Sequence, residues 1–141
     1  MSNERNKLIW LWVSALVIFL DQYTKYAVSS QMELYQIVKI MPFLQLHLLH
    51  NSGAAFSILS DASGWQRWFF TLIALAVSAF ILYWLSRLKD SERWMAIALC
   101  LILGGAIGNV VDRIMLGFVV DFIEIYYGDW SWPAFNVADS A

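Results

Sequence analysis

Three long uncharged stretches divide this chain. The first begins at Leu8, runs without charge to Leu20, and continues through Asp21-Gln22-Tyr23-Thr24-Lys25 to about residue 28. The others cover about 68–85 and 94–111. At about 1.5 Å of rise per residue, the last two reach about 27 Å as helices, which just crosses a hydrocarbon core of about 30 Å. Trp10, Trp12, Trp65, Trp68, Trp84 and Trp94 cluster at their ends, as in an interfacial aromatic belt. Arg5 and Lys7 precede the first stretch, and Arg87, Lys89 and Arg93 crowd the short connection between the second and third. The positive-inside rule puts these on the cytoplasmic side and residues 30–67 and 112–141 outside. Ala27-Val28-Ser29 loosely resembles a signal-peptide cleavage site, but it lies far from the end of the apolar run, with charges between.

The outer regions have their own patterns. Within about 34–56, Tyr35–Ile40 and Phe43–Leu48 alternate apolar and polar positions on either side of Pro42, which predicts two short strands in a sheet on the membrane surface. Val119–Tyr127 is apolar apart from Asp121 and Glu124, and pattern alone does not decide between strand and short helix. Trp132-Pro133 leads into residues 133–141, which read as the start of a helix. A fourth span returning to the cytoplasm is expected there and is essentially missing before Ala141. The expected architecture is an all-α membrane protein: a multi-pass helical bundle with a small outer-face β-sheet, forming one membrane-embedded domain over residues 1–141.

Composition agrees. Of 141 residues, 60% are apolar and 14% charged, against roughly 45–50% and about 25% in soluble domains. A net charge of −2 without a basic patch gives no reason to expect nucleic acid. The single cysteine, Cys100, excludes a disulfide framework and reads as a small packing residue. His47 and His50 form H-x-x-H without a third ligand, so no metal is expected. Ser52 near His50 lacks the strand–turn–helix surroundings of a serine nucleophile.

Topology gathers the unusual polar residues on one side. Asp21 and Lys25 share a helix face near the outer end of span one, and Asn109, Asp112 and Arg113 lie at the outer end of span three. Gly104-Gly105-Ala106-Ile107-Gly108 contains G-x-x-x-G, which lets a neighbouring helix come close. Asn51, Asp121, Asn136 and Asp139 fall in the outer regions. Ionisable groups at membrane depth are costly unless paired or in a wet cavity. Asp21–Lys25 and Asp112–Arg113 each carry a counter-ion. Asp121 and Asp139 have no basic residue within several positions. Apolar surroundings disfavour a charged carboxylate, and when two carboxyl groups meet, one holds a proton while the other is ionised. That pair can activate water and protonate a leaving amide nitrogen. Ion or proton coupling and purely structural bonding are the alternatives that the residues leave open.

Five runs, in order, resemble the bacterial lipoprotein signal peptidases (signal peptidase II). They are Asp21-Gln22-Tyr23-Thr24-Lys25, Asn51-Ser52-Gly53-Ala54-Ala55-Phe56-Ser57, Gly104–Arg113, Val120-Asp121-Phe122 and Phe135-Asn136-Val137-Ala138-Asp139. The resemblance implies a four-helix aspartyl endopeptidase of the bacterial inner membrane. Such an enzyme cuts the signal peptide of diacylglyceryl-modified prolipoproteins on the amino side of the lipidated cysteine. By motif position it makes Asp121 and Asp139 the catalytic pair. Asn51, Gly53, Asn109, Arg113 and Asn136 would line the site, with Asp21, Lys25 and Asp112 supporting it. It implies membrane lipids and a globomycin-type inhibitor as ligands, a monomer, and no cofactor. It also implies a fourth helix holding Asp139, where only two residues follow here. A non-catalytic carrier using the same carboxylates, or an inactive lipopeptide-binding fragment, are the competing expectations.

Overall fold

The computed structural model describes residues 7–53 and 64–141; Arg5 and Ala54–Ser57 of the second motif lie outside the described residues. A single 3-10 turn, Lys7–Trp10, leads into helix α1, Leu11–Gln31. Strands β1 (Ile37–Met41) and β2 (Leu44–Asn51) follow, then helices α2 (Trp65–Arg87) and α3 (Arg93–Met115). The chain ends in strands β3 (Val119–Tyr127) and β4 (Trp130–Ser131) and a short helix α4 (Val137–Ser140). Three helices among the described residues are long and apolar enough to cross a membrane, and the strands form one antiparallel sheet in the order β1-β2-β3-β4.

Helix α3 is the central span and packs against both other long helices. Its glycines explain how. A Cβ on Gly104 would fall 2.7 Å from the Val17 Cβ and 2.9 Å from the Ser14 carbonyl, so only glycine lets α1 come this close. The Ser14 hydroxyl donates to the Cys100 carbonyl at 2.6 Å across the same contact. Gly108 leaves room for the Asp21 carboxylate, and a Cβ on Gly105 would overlap the Ala138 carbonyl. The glycine run therefore seats two elements, α1 and α4. Gly105→Ala is expected to push α4 off α3 and to lower stability by about 1–3 kcal/mol through overpacking. Thermal unfolding in detergent measures it; an unchanged midpoint would refute the close fit.

The end of α3 aims the next strand. The Leu116 and Gly117 amides donate back to the Asp112 and Arg113 carbonyls, and Gly117 takes φ +89°, the left-handed conformation that turns the chain out of the helix. The residues that follow, 119–127, form a strand and not a helix. Val119, Val120, Asp121 and Phe122 are all buried, because this half of β3 is paired with β2 and covered by α1 and α3, whereas β4 pairs only with Tyr126 and Tyr127. Leu48, Val120 and Phe122 form a small core with Val28 of α1 and Met32 just beyond its end.

Residues 133–136 differ from the expected helix start. Phe135 pairs with Ile123, the backbone amide of each donating to the other's carbonyl, at 2.9 and 2.8 Å. This keeps the chain extended through Pro133. Helix begins only at Val137, where Asn136 supplies an N-cap.

Candidate active site

The polar residues singled out in the sequence converge where the ends of α1 and α3 meet β3 and α4. Lys25 is at the centre, 3% exposed. Its Nζ lies 2.7 Å from Asp21 Oδ2, 2.9 Å from Asp112 Oδ2 and 3.0 Å from Asn109 Oδ1, so each of its three protons has an acceptor. Asp112 therefore pairs with Lys25 across two helices and not with its neighbour Arg113. Adjacent residues on a helix point in different directions.

The two supporting carboxylates also hold backbone. Asp112 Oδ2 accepts from the Val120 amide at 3.0 Å, beside Asp121. Asp21 Oδ1 accepts from the Ala138 amide at 2.9 Å, beside Asp139. Gln22 joins the two, donating to Asp112 Oδ1 at 2.9 Å and more weakly to Asp21 and the Gly108 carbonyl. Its bridging role was not read from the sequence, because an uncharged side chain carries no electrostatic signal. Among the described residues no buried side-chain nitrogen or oxygen lacks a partner, which is what a charged cluster in apolar surroundings requires.

Asp121 and Asp139 stand above this base, linked through Asn136. The Asn136 Nδ2 donates to Asp121 Oδ1 at 2.9 Å, and the same nitrogen reaches the Val120 carbonyl and Asn109 Oδ1. Asn136 and Asp139 form a reciprocal capping box: Asn136 Oδ1 accepts from the Asp139 amide at 2.9 Å, and Asp139 Oδ2 from the Asn136 amide at 3.2 Å. Asn109 Nδ2 donates to Asp139 Oδ1 at 2.8 Å. Asp139 is thus fixed by its own turn and by α3, with its side of the site open: Asp139 is exposed while Asp121 is 4% exposed.

Asn51 completes the ring from β2. Its Nδ2 donates to Asp121 Oδ2 at 3.0 Å, while its Oδ1 accepts from the Gly53 amide at 2.8 Å. Gly53 has φ +96°, a conformation that suits glycine and that closes this turn. Arg113 is half-buried at the rim. Its guanidinium lies 5.6 Å from the Phe70 ring centroid, and its charge interacts with Asp139, Asp112 and Asp121.

Burial pushes the Asp121 carboxyl up to about 6, and the charge of Asp139 adds to the rise; hydrogen bonds from Asn51 and Asn136 and the Lys25 charge oppose it. Glu124, on the same strand, goes the other way. Burial works to raise it, but hydrogen bonds from Gln45, Ser131 and His47 hold it below the usual carboxylate range. Gln45 Nε2 and His47 Nδ1 reach its Oε2 at 2.7 and 2.9 Å. Glu124 borders a separate cavity of about 320 Å³ on the sheet, which neither Asp121 nor Asp139 lines. His50 stacks on Phe118 with centroids 3.9 Å apart, so the two histidines have different partners.

A helical bundle with a surface sheet and two carboxyl groups gathered at one end of its spans defines a membrane-embedded protein with its polar site near one membrane face. Over residues 13–141 the sequence matches the family described as Signal peptidase (SPase) II. It is 52% identical over 134 residues to the lipoprotein signal peptidase of Alteromonas mediterranea, covering 95% of this chain and 74% of that protein. With the lipoprotein signal peptidase of Pseudomonas aeruginosa it shares 53% identity over 137 residues, 96% of this chain and 81% of the other. A solved bacterial membrane enzyme, determined by the in meso method at 1.9 Å resolution, is similar with a TM-score of 0.82 at 32% identity, covering 94% of this chain and 83% of that one. The chain belongs to the signal peptidase II family, and is a membrane-embedded protease.

Proposed function

We propose that this chain is a lipoprotein signal peptidase of the aspartic type, with Asp121 and Asp139 as the catalytic pair. The observation that carries the reading is their unlike environments within one hydrogen-bonded unit. Asp121 is buried with its carboxyl raised to about 6, and Asp139 is exposed, tied to it through Asn136. A pair that shares one proton has both functions that amide hydrolysis needs. The ionised carboxylate takes a proton from water as its oxygen adds to the scissile carbonyl carbon, and the protonated one donates to the carbonyl oxygen. A proton then passes to the amide nitrogen, the C–N bond breaks, and the signal peptide leaves with a new carboxyl end.

The substrate this reading implies is a prolipoprotein carrying diacylglycerol on the cysteine after the cut. Its signal peptide is an apolar helix and its acyl chains remain in the bilayer, which brings the scissile bond to the level of the helix ends. Asn51, Asn109, Asn136 and Arg113 line the site and orient backbone or developing charge, with Gly53 keeping Asn51 in place. Asp21, Lys25 and Asp112 support it. The charge pattern favours a cytoplasmic N-terminus and a site near the outer face of the bacterial inner membrane. The enzyme acts as a monomer, and a globomycin-type inhibitor competes with substrate.

The test is cleavage of a diacylglyceryl-modified prolipoprotein by the purified chain, assayed as it stands and with the remaining segment of the Pseudomonas aeruginosa relative appended. Cleavage lost with Asp121→Asn and with Asp139→Asn supports the pair. Cleavage that survives either substitution excludes it. Asn51→Ala is expected to lower turnover by about 10- to 100-fold, because Asp121 loses a donor that stabilises its ionised form. The acid limb of the pH–rate profile then moves to higher pH. An unmoved limb with normal turnover would remove Asn51 from the mechanism.

A further inference from the structure

The first turns of α2 bring two side chains to the site that the motifs do not include. Arg67 and Phe70 are three positions apart, on one helix face. Arg67 closes the end of α3: its Nε donates to the Arg113 carbonyl at 2.6 Å, and an Nη to the Ile114 carbonyl at 2.7 Å. The Arg113 carbonyl also accepts from the Gly117 amide at 3.2 Å, and the carbonyls of a helix's last turn suit a cationic donor such as arginine. Phe70 reaches further in and meets two groups at once. The Arg113 guanidinium lies over its ring, 5.6 Å from the centroid. The ring edge meets the Gly53 backbone, where a Cβ would fall 2.6 Å from Cδ2 and 2.7 Å from Cε2.

Each contact leads to one of the two aspartates. Gly53 donates to Asn51 Oδ1, which leaves Asn51 Nδ2 aimed at Asp121. Arg113 carries the positive charge at the rim, and of the carboxylates it interacts with, Asp139 is the strongest. We infer that Phe70 is a positioning residue for the reaction, a single ring that sets both the Asn51–Gly53 turn and the Arg113 guanidinium. The inference rests on the proposed function, because it acts through residues assigned there. The aromatic ring matters for two reasons. Its face attracts a cation through the ring quadrupole, which an aliphatic side chain of similar volume does not. Its edge is thin enough to lie against a backbone that has no Cβ.

The experiment compares Phe70→Leu and Phe70→Tyr, alone and combined with Arg113→Lys, for kcat, KM, the pH profile and the thermal midpoint. Phe70→Leu is expected to lower kcat roughly tenfold with KM within about twofold. It also moves the acid limb to higher pH, because a loosened Asn51–Gly53 turn weakens the Asn51 hydrogen bond that favours ionised Asp121. Phe70→Tyr keeps the ring and restores kcat. In the Arg113→Lys background the loss from Phe70→Leu shrinks, since coupled residues are not additive. The inference is overturned by equal losses in both backgrounds, by an unmoved limb, or by a loss that follows the thermal midpoint in both Phe70 variants. Cleavage abolished by Asp121→Asn but untouched by Phe70→Leu overturns this inference alone. Cleavage that survives Asp121→Asn, or no cleavage by the unsubstituted chain either as it stands or with the appended segment, overturns the reading beneath it.

Discussion

Asp121→Asn is expected to reduce cleavage about 10³-fold or more while leaving the fold at least as stable as before. The activity loss follows because the carboxamide neither takes a proton from water nor gives one to the substrate. The structural cost is small. The amide oxygen replaces Oδ2 as acceptor for Asn51 Nδ2 at the same place. The amide nitrogen then faces Asn136 Nδ2 in place of Oδ1, but that donor already reaches the Val120 carbonyl and Asn109 Oδ1. A neutral group in a 4% exposed position also avoids the desolvation that a carboxylate suffers there.

The sign of the pH dependence makes this specific. The folded Asp121 carboxyl sits at about 6, above its ordinary 3.8, so between those values the folded state binds the proton more tightly than the unfolded state. Its contribution to stability is therefore fully present below pH about 4, declines as pH rises towards 6, and is absent above. Asp121→Asn removes this decline. At pH 7 the variant should gain about 1–3 kcal/mol over the unsubstituted chain, and at pH 4 the two should agree. Thermal unfolding in detergent at both values measures it. A variant less stable at pH 7 would mean that Asp121 is a structural carboxylate and not a strained one held for chemistry.

Some of this site was legible in the sequence, and the reasons differ residue by residue. The spans stood out because lipid tolerates almost no charge over their length, and their glycine run could only be a close helix contact. The hairpin around Pro42 was legible because Leu44–Leu48 of β2 alternates and proline marks the turn before it. Val119–Tyr127 was ambiguous for the opposite reason. A strand covered on both faces over half its length loses its alternation and looks like any short apolar segment. Asp112 was misassigned to Arg113 by adjacency, whereas its partner, Lys25, depends on how two helices cross. Gln22, Arg67 and Phe70 were invisible as site residues. One has no charge, one caps a distant helix end, and the third looks like any phenylalanine in a membrane span. The start of α4 was misplaced because Pro133 is as compatible with an extended segment as with a first helical turn; the pairing of Phe135 with Ile123 decides it.

Lys25→Met should be the most damaging single change to the fold. Lysine and methionine have similar volumes, so the effect isolates the charge. Without it, Asp21 at 0% exposure and Asp112 at 3% face each other with no cation between them. Breaking a buried pair by removing one partner costs about 3–5 kcal/mol, a large share of the roughly 5–15 kcal/mol that keeps a domain folded. Low yield, a lower thermal midpoint and easy proteolysis are the expected readouts. The damage also reaches the chemistry, because Asp112 holds the Val120 amide beside Asp121 and Asp21 holds the Ala138 amide beside Asp139. Adding Asp21→Asn and Asp112→Asn to Lys25→Met separates the two effects. The carboxamides have no charge to desolvate and still offer an oxygen to each backbone amide, so the midpoint should largely recover. Turnover should not, since Asn109 loses the ammonium that fixes its Oδ1 towards Asn136 and with it the aim of its Nδ2 at Asp139. If Lys25→Met alone unfolds at the same temperature as the unsubstituted chain, the three-way ion pair does not hold this site together.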